Sequence, residues 1–242
     1  MFGPVIGLAQ RYAELLAGPG VERGLIGPAE TARLWDRHLI NCAAIADLVP
    51  RPAALVDLGS GAGLPGLVLA ILLPDVQVVL LEPMERRVAF LADCVSDLEL
   101  RNVTVHRGRA EDAVGDFAAD VVTARAVAPL DRLAGLALGL ARPGALILAI
   151  KGAAAAQEVA RATPVLRRLG ARDVRLVKVG GGVSPAATVV RFTAGPALRD
   201  GGRPDRAAAG RTVIGTAAPA GQRRGTRPGH QKGRAGNRRS AG

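Results

Sequence analysis

Three carboxylate side chains follow runs of β-forming residues, and their placement suggests that they serve one ligand. Asp57 lies in the stretch ALVDLGSGAGLPG, Glu82 ends the run VQVVLLE, and Glu111 lies in GRAED. Because parallel strands end at the same edge of a sheet, the three acids are predicted to line one rim. An acidic rim attracts a cation and repels a phosphate. The sequence therefore predicts a ligand that carries positive charge and no phosphate group.

The glycine-rich turn after Asp57 leaves two cofactors open. Residues 61–66, GAGLPG, satisfy the G-x-G-x-x-G pattern of dinucleotide-binding turns, so an NAD-dependent oxidoreductase is one hypothesis. Asp57, two residues before Gly59, disfavours it because the carboxylate would repel a pyrophosphate, and no His or Lys suited to proton transfer stands nearby. The same carboxylate can meet the ammonium group of S-adenosylmethionine through water.

The other two acids favour S-adenosylmethionine as well. Glu82 lies 23 residues after Gly59, at the end of the second predicted strand, where a carboxylate can accept hydrogen bonds from both ribose hydroxyls. Glu111 or Asp112 can reach an adenine edge. S-adenosylmethionine is cationic at sulfur and has no phosphate, so it fits the set of three acids better than NAD does. Each acid alone is also compatible with a loop or capping role.

The elements that must position these acids alternate along the chain. The predicted strands cover 54–58, 76–81, 103–106, 119–123, 145–150, 173–179 and 187–192. The predicted helices cover 64–72, 84–98, 130–140 and 153–169. The alternation predicts an α/β fold with a doubly wound parallel sheet that helices cover on both faces. No helix separates the last two strands, so they are expected to pair as an antiparallel hairpin at one edge.

Residues 1–50 are predicted to form a helical cap ahead of a domain that spans 51–194. Apolar residues at helical spacing predict a helix over 5–16, which the GPG at 18–20 ends. A second helix has Pro28 in its first turn. Its apolar stripe contains Leu34, His38, Cys42 and Ile45.

The net charge of +11 is concentrated near the end of the chain. Residues 195–242 contain eleven Lys/Arg and two Asp/Glu, which is +9 and leaves +2 for residues 1–194. Because this segment has almost no large apolar side chains, it is predicted to be a disordered basic tail. Its stretch RRGTRPGHQKGRAGNRR can bind nucleic-acid phosphates. The alternative is a solvated extension without a selected role, or even the product of a shifted reading frame.

Composition narrows the class of protein further. Cys42 and Cys94 are too few for a disulfide framework and lie at no metal-ligand spacing with the three histidines, so free thiols in a reducing compartment and no metal are expected. The first ten residues lack the pattern of a signal peptide, and no apolar run reaches the roughly 18 residues of a spanning helix. These features predict a soluble cytoplasmic protein with no membrane partner.

Five motifs occur in the order seen in one known family. They are VDLGSGAGLPGLVLAI, LLEPMERRVAFL, GRAED, ARAVAPL and LAIKG. Over roughly residues 2–193 the chain resembles the glucose-inhibited division protein B family, and RYAELLAGPGVERGLIGPAETARLWDRHLINC resembles its actinobacterial members. The resemblance implies a class I S-adenosylmethionine-dependent methyltransferase (Rossmann-like) fold with an N-terminal helical cap. It also implies methylation of N7 of the guanine at nucleotide 527 of 16S rRNA, either as 16S rRNA or within a small ribosomal subunit precursor.

By position in the matching motifs, the resemblance implies cofactor contacts at Gly59, Leu64, Ala110, Glu111 and Arg125. The sequence departs from the family pattern at two places. Thr123-Ala124 precedes the arginine where a serine is usual. The stretch GGGVSPAATVVRFTA and the basic tail replace the family's usual end, so the resemblance implies no particular substrate contacts at that end of the chain.

Guanine N7 has an in-plane lone pair and loses no proton on methylation, so no general base is expected and positioning supplies the rate. Arg125 is predicted to orient the cofactor, the acceptor edges of guanine or a phosphate, with a surface ion pair as the alternative. Lys151 and His38 are predicted to contact the RNA, although His38 can equally be a core histidine on its apolar stripe. A non-catalytic RNA-binding protein that retains a vestigial cofactor fold is the third hypothesis.

Overall fold

A computed structural model describes residues 1–180 and 186–196. The predicted basic tail, 195–242, lies outside the described residues except for its first two positions. No helix within the two described ranges is long and apolar enough to cross a membrane.

Seven strands form one sheet, and each matches a predicted strand to within a few residues. Valine, leucine and alanine dominate the central strands, which are buried on both faces. The strands are β1 (Ala53–Leu58), β2 (Val76–Glu82), β3 (Val103–Arg107), β4 (Ala119–Arg125), β5 (Ala141–Lys151), β6 (Arg172–Val179) and β7 (Ala187–Thr193).

The strand order is β3-β2-β1-β4-β5-β7-β6, which confirms the doubly wound architecture. The first five strands run parallel to one another. Strand β7 is antiparallel to both of its neighbours, β5 and β6, so the predicted hairpin at one edge is confirmed. Chain connections leave β1 and β4 toward opposite sides, and their carboxyl ends form the cleft where ligands bind in such sheets.

Helices cover both faces of the sheet. The helices are α1 (Ile6–Leu15), α2 (Ile40–Ala43), α3 (Gly66–Leu72), α4 (Glu85–Asp97), α5 (Leu130–Leu140) and α6 (Ala155–Arg168). The N-terminal residues, α3 and α4 share one apolar core with the sheet. Helices α5 and α6 form the second core on the opposite face. The last four helices confirm the predicted helical segments.

The N-terminal cap differs from the sequence prediction in its helical geometry. The GPG at 18–20 does not end the first helix, because the chain continues through a π turn over Leu16–Gly20. A wide turn of this kind accommodates Pro19, which has no N–H to donate and would crowd a regular α-helix. The second predicted helix consists of 3₁₀ turns, a π turn over Leu34–Leu39 and the short α2. Its predicted apolar stripe, Leu34, His38, Cys42 and Ile45, is buried.

Candidate functional site

The turn between β1 and α3, residues Gly59–Gly66, is here called the glycine loop, and six of its backbone N–H groups are hydrogen-bonded within the protein. Those of residues 59 and 60 donate to the carbonyl oxygen of Leu81, and those of residues 63 and 64 donate to that of Ser60. Two carboxylates accept two more N–H groups, one from Gly61 and one from Gly66. A phosphate held by such a turn would need these donors to be free. The glycine loop is therefore poorly suited to a pyrophosphate.

Asp57 holds the glycine loop from inside the core. Its carboxylate is fully buried and accepts hydrogen bonds from the Gly66 N–H at 3.0 Å and the Thr123 hydroxyl at 2.9 Å. Burial raises the pKa of Asp57 from its usual 3.8 to about 6, and these hydrogen bonds oppose the rise. The expectation that Asp57 meets a ligand ammonium group is not met, because both of its oxygens bind protein donors and none of its surface is exposed.

Glu82 ends β2 with its carboxylate against the glycine loop. Its Oε2 accepts the N–H of Gly61 at 2.9 Å, and its Oε1 accepts the N–H of Met84 at 3.0 Å. The Arg87 guanidinium lies 3.6 Å from Oε1. Each carboxylate oxygen has a second lone pair, so the side chain can also accept hydrogen bonds from two ligand hydroxyls. The residue is 1% exposed, and it lines the cavity described next.

A cavity of about 330 Å³, the first cavity, opens at the carboxyl ends of β1, β2 and β3. It brings together four of the predicted cofactor residues, Gly59, Glu82, Ala110 and Glu111. The Glu111 carboxylate pairs with Arg132 at 3.1 Å, and hydrogen bonds from its own backbone and from Arg132 lower its pKa. Leu64, the remaining predicted residue of the turn, is 9% exposed and lines neither this cavity nor the second one described below.

Sequence reasoning missed two apolar residues of the first cavity. Met84 and Val127 are exposed hydrophobic side chains that line it. Val127 also helps to explain why residue 59 is a glycine, because a Cβ at this position would lie 2.9 Å from the Val127 side chain. The φ angle of Gly59, +67°, favours glycine as well. Met84 lies two residues after Glu82, so a search of the segment that follows the second strand would have found it. Val127 lies in the motif ARAVAPL, two residues after Arg125, so a search of the segment that follows the fourth strand would have found it.

A second cavity, of about 850 Å³, lies beside the first and shares residues 126–128 with it. Four of its lining residues are cations and one is an acid, Glu158. The cations are Arg37, Arg125, Lys151 and Arg161. This composition suits an anionic ligand with hydrogen-bond acceptors, and RNA phosphates and guanine edges are such groups. Arg37 and Arg161 carried no signal in the sequence beyond their charge.

Arg125 ends β4 and reaches back to the N-terminal cap. One terminal nitrogen of its guanidinium hydrogen-bonds His38 Nδ1, and the other lies 3.2 Å from the Cys42 sulfur. On the far side of the ring, His38 Nε2 lies 2.9 Å from the Glu30 carboxylate. The imidazole is thus enclosed between two protein groups, so direct contact of His38 with RNA, predicted from the sequence, is not what the geometry favours. Its predicted place on the buried stripe is confirmed.

Lys151 is also engaged by protein groups. Its ammonium group donates to the Ala128 carbonyl oxygen and to the Glu158 carboxylate, each at 2.8 Å, and its side chain is only 8% exposed. Glu158 additionally accepts the N–H of Leu130 at the start of α5. The pair therefore fastens the segment that follows β4. Lys151 has one further N–H to donate into the second cavity.

No group of three or more His, Cys, Asp and Glu side chains is arranged to hold a metal ion in the part of the chain that the structure describes. The charged side chains that line the two cavities are three carboxylates, six guanidinium groups and the ammonium group of Lys151. Such groups can bind, orient and shield a reacting pair.

Comparisons with known proteins agree with this geometry. The family described as "GidB: rRNA small subunit methyltransferase G" matches residues 6–185. A protein named ribosomal RNA small subunit methyltransferase G from Thermobifida fusca is 55% identical over 202 residues, covering 83% of this chain and 85% of that protein. The protein of the same name from Streptomyces coelicolor is 52% identical over 197 residues, covering 81% and 82%.

Solved structures resemble the chain in fold. A SAM-dependent O-methyltransferase from Thermotoga maritima superimposes with a TM-score of 0.53 at 14% identity, and the match covers 66% of each chain. A Pyrococcus horikoshii protein solved in complex with MeSAdo gives a TM-score of 0.52 at 18% identity over 64% of this chain and 62% of that one. At these identities the likeness concerns the α/β methyltransferase fold alone.

Proposed function

Because the chain belongs to the GidB family of rRNA small subunit methyltransferases, we propose that it methylates N7 of the guanine at nucleotide 527 of 16S rRNA. The protein is an S-adenosylmethionine-dependent rRNA methyltransferase of the small subunit. The target atom and nucleotide are the finer part of the proposal. Its partner is 16S rRNA or a small ribosomal subunit precursor, and we place its action in the cytoplasm, where such a substrate is met.

One observation supports the choice of S-adenosylmethionine as cofactor, namely that N–H groups of the glycine loop are hydrogen-bonded within the protein. Six of its backbone N–H groups are bonded internally, and two of these go to the carboxylates of Asp57 and Glu82. NAD needs free donors for its pyrophosphate, whereas S-adenosylmethionine has no phosphate. The internal bonding therefore supports S-adenosylmethionine and counts against the oxidoreductase hypothesis.

The first cavity fits the nucleoside part of S-adenosylmethionine. We assign Glu82 to the ribose hydroxyls, because it lines the cavity and each of its oxygens accepts one backbone N–H and has a lone pair to spare. Ala110 and Glu111 are assigned to the adenine, with Met84 as an apolar surface beside them. Gly59 lets the loop approach Val127, and Leu64 supports the loop from the core.

The second cavity fits the nucleotide that accepts the methyl group. S-adenosylmethionine, when bound, supplies an electrophilic methyl group. Guanine N7 offers its lone pair without losing a proton, so the protein needs no general base. Arg125 can donate to the acceptor edge of guanine or to a phosphate, and Lys151 can add one hydrogen bond. The chain's contribution is to orient the base and to exclude water at the junction of the two cavities.

Two measurements test the proposed function. Calorimetry of the purified protein with S-adenosylmethionine and with NAD is expected to show binding of the first only. Incubation with 16S rRNA and with small subunits that lack the modification is expected to place one methyl group at N7 of nucleotide 527. Binding of NAD alone would support the oxidoreductase. RNA binding without either cofactor would support the non-catalytic hypothesis, and methylation of another nucleotide would reject the proposed target.

The basic segment 195–242 is proposed to add phosphate contacts without choosing the nucleotide. Backbone contacts carry no sequence information and are salt-dependent. Removing the segment should weaken RNA affinity and lower the slope of log affinity against log salt by about 0.7 for each lost contact with single-stranded RNA. Equal affinity across the salt series for the full and shortened chains would show that the segment does not touch RNA.

A further inference from the structure

We propose that Glu30 and His38 form a positioning pair that fixes the Arg125 guanidinium in the second cavity for methyl transfer. The inference rests on the proposed function for its activity readout but on the geometry for its existence. Arg125 hydrogen-bonds Nδ1 of His38, and Nε2 of the same ring lies 2.9 Å from the Glu30 carboxylate. The N-terminal cap thereby acts on a residue at the end of a central strand.

The chemistry of the three groups fixes the direction of this chain of hydrogen bonds. A guanidinium can only donate, so the His38 nitrogen that faces Arg125 must present its lone pair. A neutral imidazole then carries its proton on the other nitrogen, Nε2, which donates to Glu30. The second oxygen of Glu30 is held by Arg37 at 3.1 Å. Arg125 therefore donates to His38, and His38 donates to Glu30.

The arrangement leaves the charge of Arg125 available to a ligand. In residues 1–180 and 186–196, no carboxylate lies within 4.0 Å of the Arg125 guanidinium, in contrast to many arginines of this chain. Its two contacts are an imidazole lone pair and the thiol of Cys42. Burial raises the pKa of Cys42 to about 11, so this thiol stays neutral. Neutral acceptors orient the guanidinium without neutralising it.

Protonation of His38 would abolish the arrangement. The imidazolium would lose its acceptor at Nδ1 and place a second cation against Arg125. The charged groups that act on the ring are Glu30 and Arg37 from the cap and Arg125 from β4. Burial and the Arg125 charge lower the pKa of His38 below its ordinary value of 6.5, although Glu30 opposes this. The ring is therefore neutral at pH 7, and it takes up a proton only at a lower pH than an ordinary histidine does.

Two amide substitutions separate the two sides of the ring. Asn places its side-chain oxygen where Nδ1 lies, so His38→Asn can keep the acceptor for Arg125 while losing Glu30. Gln places its amide near Nε2, so His38→Gln can keep Glu30 while losing the acceptor. Single-turnover methyl transfer should fall about 100-fold in His38→Gln, as expected for a displaced reacting group, and less than about tenfold in His38→Asn. Equal thermal unfolding of the two variants would make them a matched pair.

The pH dependence supplies a readout that packing alone would not change. The wild-type rate should fall as the pH is lowered through the pKa of His38, and His38→Asn should lack this part of the decline. Similar rates in the two variants, or an unchanged acid decline in His38→Asn, would overturn the proposal.

A measurement independent of activity tests the geometry itself. Nitrogen-15 NMR of labelled protein at pH 7.5 should show His38 with a bare Nδ1 and a protonated Nε2, and the loss of these signals in His38→Asn assigns them. The opposite tautomer would overturn the proposal even if methyl transfer proceeds. A wild-type protein that does not methylate 16S rRNA would instead reject the proposed function, while the tautomer would still decide whether the positioning pair exists.

Discussion

The glycine loop and the segment 125–129 are turns that follow the two central strands, yet they are held in different ways. The glycine loop is fixed chiefly by acceptors on the adjoining strands β1 and β2, namely Asp57, Glu82 and the carbonyl oxygen of Leu81. The cap adds a single hydrogen bond, from the Tyr12 hydroxyl to the carbonyl oxygen of Ala62. The segment 125–129 is fixed by side chains from distant parts of the chain. His38 holds its first residue and Lys151 holds the carbonyl oxygen of Ala128.

The difference matches the ligand on each side. Carboxylates on the glycine-loop side favour a cationic cofactor with hydroxyl groups and exclude phosphates. Cations on the side of 125–129 favour a polyanion, and one of them, Arg125, is held by neutral groups that leave its positive charge in the second cavity. The two proposed ligands would thus lie on opposite sides of residues 126–128, which line both cavities.

The largest expected effect comes from removing the carboxylate that both fixes the glycine loop and lines the first cavity. Glu82→Ala should lower S-adenosylmethionine affinity by at least about 100-fold, because two charge-assisted hydrogen bonds of about 1.5–3 kcal/mol each are lost. Calorimetry measures this, with Glu85→Ala as the control. Glu85 lies on the surface three residues later and pairs only with Arg107 among the described residues. Equal affinities of the two variants would remove Glu82 from the site.

The next effect tests whether the segment 125–129 depends on the ion pair between Lys151 and Glu158. Lys151→Met should destabilise the protein by about 3 kcal/mol, because it leaves the Glu158 carboxylate, 18% exposed, without its cation. Adding Glu158→Gln should recover much of this loss, since the uncompensated charge is removed. Urea unfolding of the single and double variants measures both. A double variant no more stable than Lys151→Met would show that the pair is not coupled in this way.

A smaller effect distinguishes the packing of the two regions. A Cβ on Gly66 would lie 2.4 Å from the Leu80 side chain and 2.6 Å from the Asp57 carboxylate, whereas one on Gly152, beside the second cavity, would meet nothing within 4 Å. Gly66→Ala should therefore cost about 2 kcal/mol of unfolding free energy, and Gly152→Ala should stay within about 0.5 kcal/mol of wild type. An unfolding free energy of Gly66→Ala equal to that of Gly152→Ala would mean that Leu80 and Asp57 leave room for a Cβ at residue 66.

The same contrast explains what the sequence could and could not predict. Among the described residues, all seven strands, four helices and the two carboxylates of the first cavity followed from local patterns, because Glu82 ends the second strand and Glu111 follows the third. The role of His38 did not, since its partner Arg125 lies 87 positions away and no periodicity links them. Lys151 was predicted to face RNA, but its fixed contact is Glu158, which only the packing of α6 brings near. The π turn of the cap could not be predicted, because the GPG that contains Pro19 predicts the end of a helix.

The smallest effect concerns Asp57, which is buried in the core and accepts a hydrogen bond from Gly66 of the glycine loop. Its pKa, raised to about 6 in the folded state, means that the folded protein binds a proton more readily than the unfolded chain does. Stability from this group is therefore present at low pH and is lost as the pH rises through about 6. Between pH 5 and pH 7 the loss should be about 1 kcal/mol.

Asp57→Asn keeps the shape of the side chain and cannot titrate. Its oxygen can accept the Gly66 N–H and its amide can donate to the Thr123 hydroxyl. Urea unfolding at pH 5, 6 and 7 should show the wild type losing about 1 kcal/mol relative to this variant as the pH rises. His38 titrates in both proteins and cancels in the difference, and Asp75→Asn, at an exposed turn, controls for the lost negative charge. Parallel pH dependences of Asp57→Asn and wild type would show that Asp57 stays ionised in the core, held by its donors against the cost of burial.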